Sequence, residues 1–142
     1  MKSKLIPCIA LFFLILAGCQ NQGENLTKKA EIQEMPSEKD GVTLSANKNE
    51  YTTSTDKITV VNKNESDSKV KSSHGIFLEK NVDGTWYEFP YKEPAFSEVL
   101  RYLPPGKSHT FDIHIDELEY ELTPGEYRAV HEGLAAPFEV VE

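Results

Sequence analysis

The sequence predicts an all-β domain, a two-sheet sandwich of about seven strands that begins at residue 42. Three observations lead to this fold class. Short stretches rich in β-branched and aromatic residues recur at spacings near ten, with turn residues between them. No part of this region has a convincing helical period. Residues 42–142 have the length of one domain, and so many short strands bury one face each by packing as two sheets.

The first half of the domain holds four strand signals. In chain order they are an alternating, a β-branched, an apolar and an aromatic stretch, all of which favour extended structure. We expect these strands at 42–46, 57–61, 75–79 and 86–89. A polar turn is expected at 62–67. Asp83 and Gly84 predict a hairpin turn in which glycine supplies a positive φ.

The second half opens with prolines that confine residues 91–103 to an irregular or edge segment. The clearest strand signal follows at 107–115. A Thr-Pro-Gly turn at 123–125 then separates it from strands expected at 126–131 and 137–141.

Alternation along these strands predicts the core, because successive side chains point to opposite faces of a sheet. In the strand before Asp116, three side chains should face inward: Phe111, Ile113 and Ile115. Their neighbours should face water: Thr110, Asp112 and His114. Four further pairs are expected in the core: Ile58 and Val60, Ile76 and Leu78, Leu118 and Leu122, and Phe138 and Val140.

A tyrosine just after a Pro-Gly turn marks the start of a late strand. The segment 122–128 reads Leu-Thr-Pro-Gly-Glu-Tyr-Arg. This spacing favours a tyrosine corner, in which the ring of Tyr127 packs inside while its hydroxyl bonds to upstream backbone.

Three segments, 78–90, 103–107 and 122–128, together resemble a bacterial immunoglobulin-like (Ig-like) domain of secreted and lipid-anchored proteins. The resemblance extends over roughly 42–142. It implies an Ig-like sandwich and an extracytoplasmic location, and it brings no catalytic or ligand residues. The chain lacks the paired cysteines of antibody domains, so the resemblance is to the cysteine-free bacterial kind.

The N-terminus has the parts of an export signal. Lys2 and Lys4 precede an apolar run at 5–16, which is too short to span a bilayer. The run ends in Leu-Ala-Gly18-Cys19, which resembles the lipobox of bacterial lipoprotein precursors, cut between glycine and cysteine. An uncleaved membrane anchor and a signal peptide without lipid are the alternatives.

The lipobox predicts three regions: a signal peptide at 1–18, a flexible linker at 19–41 and the domain at 42–142. The lipid, with acyl chains such as palmitate, would be carried by Cys19 and hold the protein at the extracytoplasmic face of the cell membrane. Cys8 would leave with the signal, so the mature chain would have no disulfide. Stability must then come from a hydrophobic core.

The charge argues against several partners. The precursor carries a net charge of −8, and losing Lys2 and Lys4 would make the mature chain more acidic by two units. Such a charge opposes binding to nucleic acid and to anionic lipid head groups. No nucleic-acid partner is therefore expected.

No catalytic constellation stands out. Ser73-His74 and Ser108-His109 are neighbours on strands, so their side chains point apart and cannot form a Ser–His dyad. Asp112, His114 and Asp116 share a face, but alternate polar residues are the ordinary wet side of a strand. The acidic cluster at 116–121 suits a solvated surface better than acid–base catalysis. We expect no metal, no cofactor and no enzymatic activity.

An aromatic-rich stretch offers the best candidate for a binding surface. Its members are Trp86, Tyr91, Phe96 and Tyr102. The leading hypothesis is a non-catalytic, lipid-anchored module that binds an extracytoplasmic protein or the cell envelope. Two alternatives remain open: a structural spacer without a dedicated ligand, and a small metal-dependent hydrolase.

Overall fold

The structure, a computed structural model, describes residues 25–73, 75–93 and 99–142. Their strands are β1 (Glu38–Lys39), β2 (Val42–Ala46), β3 (Glu50–Thr52), β4 (Lys57–Asn64), β5 (Val70–Lys71), β6 (Phe77–Val82), β7 (Thr85–Phe89), β8 (Tyr102–Leu103), β9 (Ser108–His114), β10 (Gly125–His131) and β11 (Leu134–Val141). A single turn of 3-10 helix, Ile115–Glu117, follows β9. Within these ranges no helix is long and apolar enough to cross a membrane.

The strands form two main sheets, which confirms the all-β sandwich. One sheet has the order β1-β2-β4-β9, and the other has the order β3-β11-β10-β6-β7. A short two-stranded ribbon, β5-β8, stands beside them. Neighbouring strands run antiparallel, except that β3 pairs in parallel with β11. The four main strands β4, β6, β9 and β10 agree with the predicted strands to within a few residues.

The core lies between the two sheets and contains the expected side chains. Ile58, Val60 and Ile113 are fully buried. The other predicted pairs are buried as well: Ile76, Leu78, Leu118, Leu122, Phe138 and Val140. Phe111 and Ile115 are only partly buried and pack against this cluster from its margin. Asp112 and His114 are exposed, as alternation predicts.

Strand β4 extends through a stretch where the sequence predicted a polar turn. Asn62 and Asn64 are buried strand residues, so the expected turn at 62–67 begins too early. The Asn64 amide nitrogen donates to the carbonyl oxygens of Ser68 and Leu103, each at 2.9 Å, and its oxygen accepts from the Ser66 amide at 3.0 Å. These partners satisfy the buried amide, and only Leu103 among them is distant in sequence.

Tyr127 makes the contacts that define a tyrosine corner. Its ring is buried between Phe89, which it meets edge-on at 5.7 Å, and Phe138, on which it stacks at 5.8 Å. Its hydroxyl donates to the Thr123 carbonyl at 2.7 Å and accepts from the Thr123 amide at 3.1 Å. The turn at 123–125 is thereby fixed to the start of β10.

Replacing Tyr127 with phenylalanine should lower the free energy of unfolding by about 1–3 kcal/mol, because Thr123 loses both hydrogen bonds in a partly buried place. Urea unfolding measures the loss. Tyr120→Phe is the matched control, since the Tyr120 ring also meets Phe89 edge-on, at 6.1 Å. Equal effects of the two substitutions would show that the corner adds no stability of its own.

Candidate binding surface on the five-stranded sheet

Residues 28–37, here called the strap, lie on the five-stranded sheet. The sequence predicted a flexible linker here, and the structure differs. The Ala30 amide donates to the Trp86 carbonyl at 3.0 Å, and the Glu88 amide donates to the Lys28 carbonyl at 2.8 Å. The strap thus pairs antiparallel with β7, the edge strand of that sheet. Unpaired edges invite association, and the strap covers this one.

The far end of the strap bonds to both sheets. The Ala135 amide of β11 donates to the Pro36 carbonyl at 2.9 Å, and the Ser37 hydroxyl donates to the Ala135 carbonyl at 2.8 Å. The Leu44 amide of β2 donates to the Ser37 carbonyl at 2.9 Å. The strap therefore starts at the β7 edge of one sheet and ends beside the other.

Arg128 fastens the middle of the strap. Its side chain is on the face of β10 opposite the core, yet it is only 4% exposed because the strap covers it. Two guanidinium nitrogens donate to the carbonyls of Ile32 and Gln33, each at 2.7 Å, and the third donates to the Glu79 carboxylate at 2.7 Å. All three nitrogens thus have acceptors in a planar fork, the geometry that suits arginine and not lysine.

Trp86 and Gln33 complete this cluster. The guanidinium carbon of Arg128 lies 4.4 Å from the centre of the Trp86 ring, a cation–π contact. The Gln33 side chain bonds both ways to the Trp86 backbone: its oxygen accepts from the amide at 2.8 Å and its nitrogen donates to the carbonyl at 3.0 Å. The side-chain amide of Gln33 therefore bonds to β7 in the way that the backbone of a paired strand would.

Glu79 is a buried carboxylate whose ionisation depends on Arg128. Burial raises the pKa of Glu79 above its usual range, while the hydrogen bond and the charge of Arg128 act in the opposite direction. The neighbouring Glu88 adds a smaller upward contribution to the pKa. An ion pair so well covered costs desolvation energy to form, and breaking it by removing one partner costs more.

An apolar cleft of about 540 Å³ lies between the strap and the outer face of the sheet. Ile32 and Met35 of the strap form one wall, and Phe77 and Val130 of the sheet form the other. Ile32 and Phe77 are among the exposed large apolar side chains. The ion pair of Lys28 with Glu88, at 3.1 Å, stands at the rim. An apolar floor with a charged rim is the usual anatomy of a protein-binding site.

Of the aromatic residues expected to form a binding surface, the three that the structure describes have separate surroundings, and Tyr91 lines the cleft. Trp86 is half-buried beside Arg128. The Tyr91 hydroxyl donates to the Ile76 carbonyl at 2.7 Å, and burial, followed by the charge of Glu117, raises the pKa of Tyr91 to about 12. Tyr102 is 50% exposed, but it belongs to the β5-β8 ribbon. Phe96, like Gly18 and Cys19, lies outside the described residues.

The sequence does carry one signal for the cleft. Phe77 and Val130 occupy outward positions of β6 and β10, where alternation predicts polar residues. Ile32 is likewise apolar within a polar stretch. Apolar residues on the wet side of a strand are the pattern that indicates a covered or partner-facing surface.

A Ser–His pair occurs in the interior, between residues distant in sequence. The Ser72 hydroxyl and a ring nitrogen of His131 are 3.0 Å apart, and the other ring nitrogen is 3.2 Å from the Gly75 carbonyl. The Asn62 amide donates weakly to Ser72, at 3.4 Å. Ser72 and His131 are 4% and 1% exposed, so no external substrate can reach them. We interpret this cluster as internal polar packing.

Of the three candidate metal ligands, Asp112 is engaged in other contacts. The Asp112 carboxylate accepts from the Thr59 hydroxyl at 2.7 Å, and Lys57 lies 3.7 Å away. The Thr59 hydrogen bond is the main reason that the pKa of Asp112 is lowered. Across residues 25–73, 75–93 and 99–142, no group of three or more His, Cys, Asp or Glu side chains is placed to hold a metal ion.

The fold defines an Ig-like β-sandwich. The sequence model of the bacterial Ig-like domain matches residues 38–139, and the chain belongs to that family. The match includes β1, four residues before the boundary expected from the sequence. No curated protein matches the chain.

Two solved structures have a similar arrangement over part of their length. One is a β-glucosidase from Erythrobacter marinus, with 12% identity, a TM-score of 0.42 and coverage of 69% of this chain and 15% of that enzyme. The other is a mutant β-glucosidase from Listeria innocua in complex with laminaribiose, with 21% identity, a TM-score of 0.39 and coverage of 71% and 16%. This chain spans only about one sixth of either enzyme's length.

Proposed function

We propose that the protein is a non-catalytic Ig-like module, anchored by lipid on Cys19 at the extracytoplasmic face of the cell membrane, which binds another extracytoplasmic protein. The export signal and the lipobox-like segment support the anchor. Membership of the bacterial Ig-like family supports an accessory module. The binding role rests on one observation, the apolar cleft between strap and sheet.

The cleft suits an apolar side chain of a protein partner. Its walls are mainly aliphatic and aromatic, with Glu79 also in the lining, and its volume is within the range of small binding clefts. The charged groups at the rim are Lys28, Glu31 and Glu88, which would contact polar groups around the inserted side chain. In most protein interfaces, a small number of buried side chains supplies most of the binding energy. We therefore expect Phe77 and Ile32 to dominate binding.

Replacing Phe77 with serine should reduce capture of the partner at least tenfold, because the sheet wall of the cleft loses its largest exposed apolar group. The measurement is crosslinking in intact cells followed by affinity purification and mass spectrometry. Val82→Ser is the matched control: Val82 is equally exposed, at 37%, and is on the same strand outside the cleft. Circular dichroism establishes that both variants fold.

A structural spacer is the second candidate function. The many bonds that hold the strap to the sandwich favour it, because they fix the path by which the chain enters the domain. The same crosslinking experiment separates the two. A partner lost with Phe77→Ser and retained with Val82→Ser supports binding, whereas equal recovery in both variants, or none in the parent protein, favours the spacer.

A further inference from the structure

The β5-β8 ribbon, defined here as residues 68–73 and 99–107, has a different surface from the rest of the domain. Val70 pairs with Leu103, and Lys71 pairs with Tyr102. The Ser72 amide donates to the Arg101 carbonyl at 2.9 Å, which continues the pairing by one residue. The ribbon is attached to the sheets through the buried Leu103 and the Asn64 side chain.

Large apolar side chains are exposed on this ribbon. Val99, Leu100 and Tyr102 are 47%, 62% and 50% exposed. Tyr102 is on the outward side of β8, opposite the buried Leu103, and Leu100 is exposed just before this strand. Apolar side chains gathered on one exposed surface make it a candidate contact with a partner or a membrane.

The charge of the ribbon is opposite to that of the chain. Its two segments contain Lys69, Lys71, Arg101 and Lys107 and no acidic residue, with Asp67 and Glu98 directly before them in sequence, whereas the whole chain carries −8. The Lys69 ammonium is 4.7 Å from the centre of the Tyr102 ring, so cation and aromatic form one surface. The bordering Glu132 carboxylate accepts from the Ser73 amide at 3.2 Å.

Lys69 stands over the exposed Tyr102 ring and Lys71 pairs with Tyr102, so cations lie beside exposed apolar groups, a combination that suits the interface of an anionic bilayer. Tyrosine favours the level of the head groups, leucine favours the acyl boundary beneath it, and each lysine or arginine near such a surface contributes about 1 kcal/mol. The net negative charge of the rest of the chain would repel the same lipids, so contact through this surface would set the orientation of the domain.

We propose that the β5-β8 ribbon is a second membrane contact, which docks on the head groups of anionic lipids and orients the domain. This inference rests on the proposed lipid anchor for its biological setting. The chain from Cys19 to Lys28, the first residue bonded to the sheet, reaches at most about 30 Å. The anchor would therefore keep the domain close to the bilayer, where weak contacts suffice.

The test is binding of the mature chain, residues 19–142 with Cys19→Ser, to lipid vesicles. All the contacts described above lie within residues 25–142, so this chain retains them. Sedimentation with vesicles containing phosphatidylglycerol should exceed that with pure phosphatidylcholine about tenfold, and added salt should weaken it. Lys69→Glu should lower binding about tenfold, and Leu100→Ser should also lower it.

Lys48→Glu is the matched control. Lys48 also stands over a tyrosine ring, at 5.7 Å from the centre of Tyr51, but belongs to the loop between β2 and β3. The proposal is overturned if the parent chain ignores anionic vesicles, or if Lys48→Glu and Lys69→Glu weaken binding equally. The lipid on Cys19 is measured separately by the mass of the native N-terminus, so failure of the ribbon leaves the anchor proposal intact, and the reverse also holds.

Discussion

Replacing Arg128 with methionine is expected to lower the free energy of unfolding by about 3–5 kcal/mol at neutral pH. The substitution leaves the Glu79 carboxylate buried without its cation and removes the donors to the carbonyls of Ile32 and Gln33. It also removes the contact with the Trp86 ring. Urea unfolding measures the loss, and hydrogen exchange at the Ala30 amide measures release of the strap.

The stability lost on replacing Arg128 should depend on pH and should increase from acid to neutral pH. The pKa of Glu79 is raised in the folded protein, so the folded state holds this proton more tightly than the unfolded chain does. Stability therefore falls as the pH rises from the usual glutamate pKa through the folded-state pKa. Without Arg128, which lowers the pKa, this interval extends to higher pH. The deficit should be smallest in acid and complete at neutral pH.

A double variant controls for the buried charge. Adding Glu79→Met to Arg128→Met removes the unpaired carboxylate, and well-packed apolar pairs often replace buried ion pairs at little cost. The double variant should recover part of the stability and lose the pH dependence. Because the strap carbonyls still lack donors, exchange at Ala30 should stay fast. A single variant as stable as the parent chain would contradict the role assigned to Arg128.

Replacing Cys19 with serine should abolish both acylation and cleavage after Gly18. A serine hydroxyl does not form the thioether on which the proposed processing depends, and without acyl chains the protein loses about 0.8 kcal/mol of membrane affinity for each buried methylene. Incorporation of labelled palmitate and the mass of the N-terminus measure the two steps. Labelling and mass are measured instead of membrane association, because an uncleaved apolar run at 5–16 would itself retain the precursor in membranes.

Cys8→Ser is the control for this experiment. Cys8 and Cys19 are the two cysteines of the chain, and Cys8 falls inside the apolar run. The Cys8 variant should be acylated and cut like the parent protein. Normal labelling and cleavage of the Cys19 variant would remove the basis for the proposed location.

Alternation of side chains predicted the sandwich and most of its core, because strand periodicity is a local property. Ile113 with its outward neighbours Asp112 and His114 illustrates this: a period of two fixes the face of each residue wherever the strand lies. The tyrosine corner at Tyr127 could also be predicted from local sequence, since its partner Thr123 is only four residues away.

The strap escaped prediction because its bonds are long-range. Gln33 and Arg128 are separated by 95 residues, and a polar stretch with isolated apolar residues has the composition of a linker. The same holds for the candidate site. Trp86 and Tyr91 resembled surface aromatics in sequence, and their burial depends on Arg128 and on the Ile76 carbonyl, which only the fold brings near.

The attachment of the strap also determines how mechanical force enters the domain. Tension that arrives from the N-terminal side acts first on the bonds of Lys28 and Ala30 to β7, and next on Arg128 of β10. Strands β1 and β2 come later along the chain. The strap is therefore in series ahead of the sandwich, and its bonds must break before tension from that side reaches β1 and β2.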